Sequence, residues 1–415
     1  MPETFSFAFL TALILTTTLR LWLARRQIRH VLAARGTVPP RFANRVEPDA
    51  HAKAADYTVA KTGLAMIAVV ADVALVLGLT LFGGLKLIHD VMAPHADGIA
   101  LDVLIIGSVI FLNTVVDLPF AAFRQFVIET RFGFNKMTVG LFVVDLFKRI
   151  SIAAILGVPA LVFALWLMSR MGPSWWLWVW LFWVGYSLFL VWAYPAWIAP
   201  VFNKFIPLAD ASLRHRVERL LERCGFLASG LFIMDGSRRS SHGNAYFTGF
   251  GKQKRIVFFD TLIERLAPEE IEAVLAHELG HFKRRHVIKG IALNFALGLV
   301  FLWVLASLMR SPWFFAGLGV EASTPGTGLT LFLLVAPAFT FPFSWCFSFL
   351  SRKHEFEADA YAARYASGSA LVTALVKLYV DNATTLTPDP WYSRFHDSHP
   401  TATERISRLE TVCGG

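Results

Sequence analysis

The sequence predicts an α-helical multi-pass membrane protein of about seven transmembrane helices, with a small α+β domain attached to them. Its 415 residues are 55% hydrophobic and only 17% charged, whereas soluble domains are about 45–50% apolar and about 25% charged. The apolar residues are concentrated in long segments, and most basic residues flank those segments. Because one ordinary core cannot bury so much apolar surface, we expect the chain to cross a lipid bilayer.

Seven segments are long and apolar enough to span a membrane, since a transmembrane helix needs about 20 residues. They run over residues 5–24, 64–88, 100–120, 150–168, 175–197, 287–309 and 327–350. No basic residue precedes the first segment, and Arg25, Arg26 and Arg29 follow it. This order of charges indicates a retained first helix rather than a cleaved signal peptide.

The basic residues also predict how the spans are oriented. Lys and Arg are frequent after the first span and between the third and fourth, whereas the loop at 89–99 has none. By the positive-inside rule the N-terminus then lies outside the cytosol. Residues 1–197 are expected to form five helices with cytosolic loops, and 287–350 the last two. The polar segments 198–286 and 351–415 then fall on the cytosolic side as the two parts of one soluble domain.

The net charge of +9 also comes mainly from the Lys and Arg residues that flank the spans. A basic chain can indicate a nucleic-acid partner, but here the Lys and Arg residues lie mainly beside the spans, where membrane topology requires them. We therefore expect contact with membrane lipid and no nucleic-acid partner.

The segment 266–286 predicts an amphipathic helix that carries a metal-binding motif. Pro268 suits the first turn of a helix, acidic residues follow it, and basic residues end the segment in accord with the helix dipole. Within it, His277 and His281 are four residues apart, so both rings share one face and can bind one zinc ion. Glu278 lies beside them as a general base that can take a proton from water. This H-E-x-x-H pattern is typical of zinc metalloproteases.

A catalytic zinc normally has three protein ligands. The metzincin arrangement is excluded, because Arg284 replaces the required glycine and His286 comes one residue too early. We expect His286 to mark the membrane boundary just before the sixth span.

The third ligand is therefore sought downstream, in the segment 351–360. Glu355 and Asp359 are four residues apart, so one can bind the metal while the other supports a ligand histidine. On spacing alone, Glu357 and His354 are further candidates.

With these residues assembled, the chain resembles the Ste24 family, the CAAX prenyl protease type 1 enzymes of the M48 metallopeptidases. The similarity extends over most of the chain and includes the position of the catalytic helix before the sixth span. The short loops and the Ala-, Leu- and Arg-rich composition indicate a bacterial homologue. The matching segments are Leu118-Pro119, Phe126–Glu129, Gly133–Asn135, Phe202–Pro207, Asn244–Phe247, Arg255–Thr261, His277–His281, Glu355–Asp359, Ser398–Pro400 and Glu404-Arg405.

The resemblance implies which residue is the third metal ligand and which other residues lie near the metal. It makes Glu355 the third ligand of a single Zn²⁺ ion and Asp359 its companion behind the ligands. It also places Asn244, His399 and Arg405 near the metal, among the catalytic residues. We expect His399 to donate a hydrogen bond to the oxyanion that forms during hydrolysis. Arg405 is expected to pair either with a substrate carboxylate or with the neighbours of Glu404.

The run Asn244, Ala245, Tyr246 and Phe247 predicts an edge strand. A substrate peptide could add to such an edge and expose its carbonyl to the metal. The resemblance further implies that the seven helices surround a water-filled chamber, closed by a zincin-like α+β protease domain.

The sequence therefore predicts a zinc metalloendopeptidase of a bacterial inner membrane (or the endoplasmic reticulum membrane in a eukaryote), with its catalytic domain facing the cytosol. Its expected substrates are peptides or lipidated proteins, and the family implies removal of the last three residues of prenylated C-a-a-X proteins. The alternative is a membrane quality-control protease of broader specificity. A transporter would not need this metalloprotease pattern, and an inactive scaffold would be expected to have lost Glu278 or a ligand.

Overall fold

A computed structural model describes residues 1–226, 230–248, 255–321 and 324–414, with the side chains of 248 and 412–414 left aside. The described chain is mostly helical. In chain order its α-helices are α1 Pro2–Ala34, α2 Pro48–Leu79, α3 Gly84–Met92, α4 Gly98–Phe123, α5 Glu129–Arg131, α6 Val139–Arg170, α7 Trp175–Ala193, α8 Ala199–Phe202, α9 Ala211–Arg223, α10 Asp260–Ile263, α11 Pro268–Lys283, α12 His286–Met309, α13 Pro312–Ala316, α14 Pro325–Thr340, α15 Ser344–Tyr365, α16 Gly368–Asp381, α17 Pro390–His396 and α18 Ala402–Gly414.

Seven helical segments among the described residues are long and apolar enough to cross a membrane, which confirms the predicted number of spans. They are Pro2–Ala34, Pro48–Leu79, Gly98–Arg131, Val139–Arg170, Gly172–Phe202, His286–Met309 and Pro325–Tyr365. The third and fifth each contain a short π-helical turn near their C-terminal end, at Arg124–Ile128 and Tyr194–Ile198.

The second span is present, but it begins and ends earlier than predicted. The helix α2 starts at Pro48 and ends at Leu79, whereas the apolar stretch in the sequence extends to residue 88. The chain leaves the helix because Thr80 adopts non-helical dihedral angles and Gly83 takes a left-handed φ of 77°, which glycine adopts without steric cost. Residues beyond this turn form the separate short helix α3.

The seventh span also continues further than its hydropathy indicates. The helices α14 and α15 are joined through a 3-10 turn at Phe341–Phe343, and α15 runs on to Tyr365. The helix therefore passes through the predicted boundary at residue 350 and carries Glu355 and Asp359 on its extension. Hydropathy identifies the apolar part of a helix, whereas the helix itself ends where its backbone hydrogen bonds end.

One four-stranded sheet lies in the polar segment between the fifth and the sixth span. Its strands are β1 Phe205–Pro207, β2 Gly230–Met234, β3 Ala245–Thr248 and β4 Arg255–Phe259, in the order β1-β2-β4-β3. The central pair β2 and β4 is parallel, and the outer strands are antiparallel to their neighbours. The strand β3 therefore forms an edge of the sheet, as its sequence predicted.

The sheet is packed on the helices that form the site. Ile256 and Phe258 on β4 are fully buried in a core that α9, α11, α16 and α18 complete. The catalytic helix α11 lies against α15 and α16 in this core. Residues from both polar segments of the chain, before and after the last two spans, thus contribute to one hydrophobic core.

Two adjoining cavities form a chamber between the membrane helices and this core. The main cavity has a volume of about 890 Å³ and the side cavity about 730 Å³. Their shared lining residues are Tyr57, Lys61, Ala121, Arg124, Asn382 and Thr384. The chamber implied by the resemblance is therefore present in the fold.

Candidate metal centre

The two histidines of the H-E-x-x-H motif converge on one point. His277 and His281 lie one turn apart on α11, and their Nε2 atoms are 3.2 Å from each other. The carboxylate of Glu355, on α15, lies opposite both rings. Its Oε2 is 3.5 Å from His277 Nε2 and its Oε1 is 3.3 Å from His281 Nε2.

A close contact between α11 and α15 creates this convergence. Gly280 faces Ala358, and a Cβ atom on Gly280 would lie 2.9 Å from the Ala358 Cα and 3.0 Å from the Tyr361 Cβ. Such distances are shorter than van der Waals contact, so only glycine allows the two helix backbones to approach this closely. The glycine at the fourth position of the motif thereby brings Glu355 within reach of the histidines.

The three side chains fit a metal ion. One ligand atom from each of His277, His281 and Glu355 can be chosen so that all lie within 4.8 Å of one another. Glu355 Oε2 is buried and has no hydrogen-bond partner within the part of the chain that the structure describes. A buried carboxylate oxygen without a partner is costly, and a cation between the three groups would satisfy it. Two imidazoles and one carboxylate are ligands that zinc accepts.

Behind the ligands, Asp359 holds the ring of His277. Asp359 Oδ1 lies 2.8 Å from His277 Nδ1, so His277 donates its Nδ1 proton and its Nε2 faces the metal position. Burial disfavours the charged ring, but the hydrogen bond to Asp359 and the nearby Glu355 carboxylate outweigh burial and raise the pKa of His277 to about 9. Binding of a metal must then displace a proton from this ring.

Arg405 on α18 completes the support. It donates from Nε to Asp359 Oδ2 at 2.9 Å and from Nη2 to Asp359 Oδ1 at 2.6 Å. The guanidinium is only 5% exposed, and its burial is compensated by Asp359, which raises the pKa of Arg405 further above its ordinary value. The structure thus places Arg405 beside the metal ligands, as expected, but its two strongest contacts are with Asp359.

Sequence reasoning missed the role of His286. His286 does begin α12, yet its side chain is buried, and its Nδ1 lies 3.1 Å from His281 Nδ1. Its Nε2 lies 3.0 Å from Glu357 Oε2, and its ring stacks on His354 at 4.0 Å. Glu357 and His354, two candidates for the third ligand by spacing, therefore contact His286 and are not part of the three-residue group. His354 and Glu357 lie one and two residues from Glu355 on α15, and therefore on different faces of that helix, which was the signal available in the sequence.

Glu278 lies on the same helix, next to His277. Its side chain is half-buried, and burial raises the pKa of this carboxyl above its ordinary value. A glutamate with a raised pKa is a stronger base than an exposed one, which suits proton transfer near neutral pH.

The remaining predicted residues line the chamber side of the centre. His399 Nε2 lies 3.5 Å from Glu355 Oε1, and partial desolvation in the cavity that it lines lowers the pKa of its imidazole, which favours the neutral ring. Asn244 precedes β3 and lines the side cavity, while its Oδ1 accepts a hydrogen bond from the Ala245 amide. His399 therefore lies beside Glu355, one of the three residues that could hold a metal ion, whereas the side chain of Asn244 accepts a hydrogen bond from the next residue along the chain.

Comparison with known proteins decides the family. Residues 27–204 match the CAAX prenyl protease N-terminal family, with five membrane helices, and residues 207–412 match peptidase family M48. The chain is 39% identical over 307 residues to the CAAX prenyl protease 1 homolog of Oryza sativa subsp. japonica, covering 74% of this chain and 72% of that protein. It belongs to the CAAX prenyl protease 1 family of M48 peptidases.

Other members of the CAAX prenyl protease 1 family agree along nearly the whole chain. The Homo sapiens homolog is 30% identical, with 97% of this chain and 95% of that protein covered. The crystal structure of S. mikatae Ste24p superimposes with a TM-score of 0.92 at 29% identity, covering 98% of this chain and 99% of that one. The chain is therefore a multi-pass membrane metalloendopeptidase, as its sequence predicted, and the family implies a metal at its centre.

Proposed function

We propose that the metal is zinc, one ion per chain, and that His277, His281 and Glu355 hold it. The observation that carries this proposal is the convergence of these three groups on one point. Glu355 Oε2, which has no hydrogen-bond partner among the described residues, lies at this point, 3.5 Å from His277 Nε2 and 3.7 Å from Arg405 Nη1. When bound, zinc supplies a Lewis acid that polarises the scissile carbonyl and makes water easier to deprotonate.

Glu278 acts as general base in this proposal. It takes a proton from the attacking water and later gives it to the leaving amine, a role for which its raised pKa is suited. His399, as a neutral imidazole, donates from Nε2 to the oxyanion that the attack creates. Asp359 and Arg405 fix the tautomer and the orientation of His277. A pairing of Arg405 with a substrate carboxylate stays a prediction.

The substrate is proposed to bind along the outer edge of β3, which pairs with no described strand other than β4. Ala245 and Phe247 alternate with Tyr246, so the first two face the α11 side of the sheet and the third faces the opposite side. An extended peptide can add its own backbone hydrogen bonds to such an edge. Asn244 at the start of β3 borders the side cavity, where it can hold the substrate backbone.

The substrate class follows from the relatives, which are named CAAX prenyl protease 1. We propose that this chain cuts lipidated peptides that end in a C-a-a-X box, releasing the last three residues. A chamber of this size can hold a short peptide and water together. Membrane proteins without a prenyl group are the competing substrate class.

We further propose that the protease domain, formed by 198–286 and 351–415, faces the cytosol. The basic loops are on that side by the positive-inside rule, and both segments share one core. A bacterial inner membrane is the proposed location.

The test is hydrolysis of a farnesylated C-a-a-X peptide by the purified chain, with the unprenylated peptide and Glu278→Gln in parallel. We expect cleavage three residues from the end, a loss of about 10²–10⁴-fold in kcat for Glu278→Gln, and unchanged zinc content. Cleavage of the unprenylated peptide alone would assign the chain to the competing substrate class. Activity that persists in Glu278→Gln would overturn the role of the general base.

A further inference from the structure

A cluster of charged side chains lines the chamber, and its residues are far in sequence from those of the metal centre. We call it the Lys61 cluster; its members are Tyr57, Lys61, Arg124, Glu129 and His242. Tyr57 Oη donates to Glu129 Oε1 at 2.7 Å, and Arg124 Nε lies 3.7 Å from the same oxygen. His242 Nε2 lies 3.5 Å from the second oxygen of Glu129. The one carboxylate of the cluster is therefore surrounded by donors other than Lys61.

Lys61 attracts Glu129 only at longer range and has no ion pair within 4 Å among the described residues. Its Nζ lies over the Tyr57 ring, 4.6 Å from the centroid. Lys61 and Arg124 both line the main cavity and the side cavity. Because the cluster has more cations than carboxylates, it presents a positive charge to the interior of the chamber, where an anionic group of a ligand would be attracted.

The position of the cluster relative to β3 determines which end of a bound peptide would lie near the positive charge. His242 lies two residues before Asn244, and its Nδ1 is 3.0 Å from Asn382 Oδ1, a residue that also lines both cavities. A substrate strand paired antiparallel to β3 runs in the opposite direction. Its C-terminal end therefore lies at the Asn244 end of β3, next to the Lys61 cluster.

The dimensions of the main cavity agree with this placement. Its lining includes Lys61 at one part and His399 and Arg405, beside the metal ligands, at another. A sphere of 890 Å³ is about 12 Å across, and three residues of extended chain span about 10 Å. A peptide whose scissile bond lies at the metal can thus reach the cluster with its last residues.

We infer that Lys61, with Arg124 beside it, binds the C-terminal carboxylate of the substrate. This inference rests on the proposed function, and it explains how the enzyme could place its cut at a fixed number of residues from the chain end. Asp117 and Asp397 also line the main cavity and repel a carboxylate near them. The other two arginines of the cavities each have an acidic neighbour, since Arg405 pairs with Asp359 and Arg149 attracts Asp145. Lys61 and Arg124 are the cations that line both cavities.

The experiment compares two farnesylated C-a-a-X peptides that differ in one group, a free C-terminal carboxylate or a C-terminal amide. For the unaltered chain we expect kcat/KM to be about 10- to 100-fold higher for the acid, because a charge-assisted hydrogen bond has about that effect. Lys61→Gln should raise KM for the acid by a similar factor and leave the amide unchanged. Lys61→Arg, which keeps the charge, should retain the preference for the acid.

Lys86→Gln is the matched control, since Lys86 pairs with Glu321 at the protein surface, away from the chamber. It should preserve the preference for the acid. Equal cleavage of acid and amide by the unaltered chain, or an equal loss on both peptides in Lys61→Gln, would overturn the inference.

A binding measurement keeps the inference testable if the proposed substrate class is wrong and neither peptide is cut. Fluorescein-labelled versions of the two peptides are titrated against the Glu278→Gln chain, which needs no turnover. Tighter binding of the acid that disappears in the Lys61→Gln, Glu278→Gln double variant supports the carboxylate site. Equal affinity for acid and amide contradicts it.

Discussion

At the scale of single residues, each ligand histidine has a partner on its far ring nitrogen. His277 Nδ1 faces Asp359, and His281 Nδ1 faces His286, which in turn faces Glu357. A partner of this kind fixes the tautomer and the direction of the ring, and it makes the other nitrogen a better ligand. The second pair crosses from α11 to the start of the sixth span, so the membrane helix helps to hold the metal centre.

The His286 contact gives a prediction. His286→Ala removes the group that orients His281, and we expect the affinity for zinc to fall by about 10- to 100-fold. Competition with a chelator measures this change directly. His215→Ala is the control, because His215 is exposed on α9 and should leave the affinity unaltered. Equal zinc affinity in both variants would show that His286 has no part in the centre.

The predictability of the site residues follows from their spacing. His277, Glu278 and His281 lie on one turn of helix, so their relation is local and the sequence reveals it. Glu355 lies far away along the chain, and spacing alone left four candidates for the third metal ligand. The choice depends on how α15 packs on α11, which is a tertiary contact, and only the resemblance to a known family named it in advance.

At the scale of elements, the approach of α11 to α15 determines the distance between the ligands. The contact depends on Gly280, where the nearest atoms to an added Cβ include backbone of α15. Backbone cannot move aside as a flexible side chain can. The separation of the two helices, and with it the position of Glu355, is therefore sensitive to one methyl group.

We predict that Gly280→Ala separates α11 from α15 and weakens zinc binding. Overpacking of this kind costs about 1–3 kcal/mol in the free energy of unfolding, so Tm should fall as well. Gly290→Ala on α12 is matched to it, since an added Cβ there has no described atom within 4 Å. A Gly280→Ala chain with unchanged zinc affinity and Tm would contradict this account of the helix contact.

The ends of the elements were less predictable than their number. All seven spans could be recognised because each contains a long apolar stretch, but hydropathy does not report where a helix stops. The second span ends early at a glycine turn, and the seventh continues as a polar helix into the protease domain. In both cases backbone conformation, which the apolar pattern does not encode, decides the boundary.

At the scale of the whole molecule, the chamber unites the membrane helices with the protease domain. Its wall includes residues of α2 and α4, while the far side is formed by α16 and the segment before α18. The chamber is a space left between helices that are far apart in sequence, so no local sequence pattern predicts it. The family resemblance implied the chamber, and the structure contains it.

The orientation of the whole molecule can be tested by labelling. A membrane-impermeant maleimide is added to intact cells that express His95→Cys or Ser212→Cys in a background without the native cysteines. Both positions are exposed. With the protease domain in the cytosol, His95→Cys should be labelled in intact cells, and Ser212→Cys only after lysis. The reverse pattern would place the protease domain on the other side of the membrane.

The most direct measurement of the central claim is anomalous diffraction at the zinc edge from crystals of the purified chain. The account predicts one peak per chain, in contact with His277 Nε2, His281 Nε2 and the carboxylate of Glu355. A peak bound instead by Glu357 or His354, or no peak in protein that cleaves peptide, would contradict it.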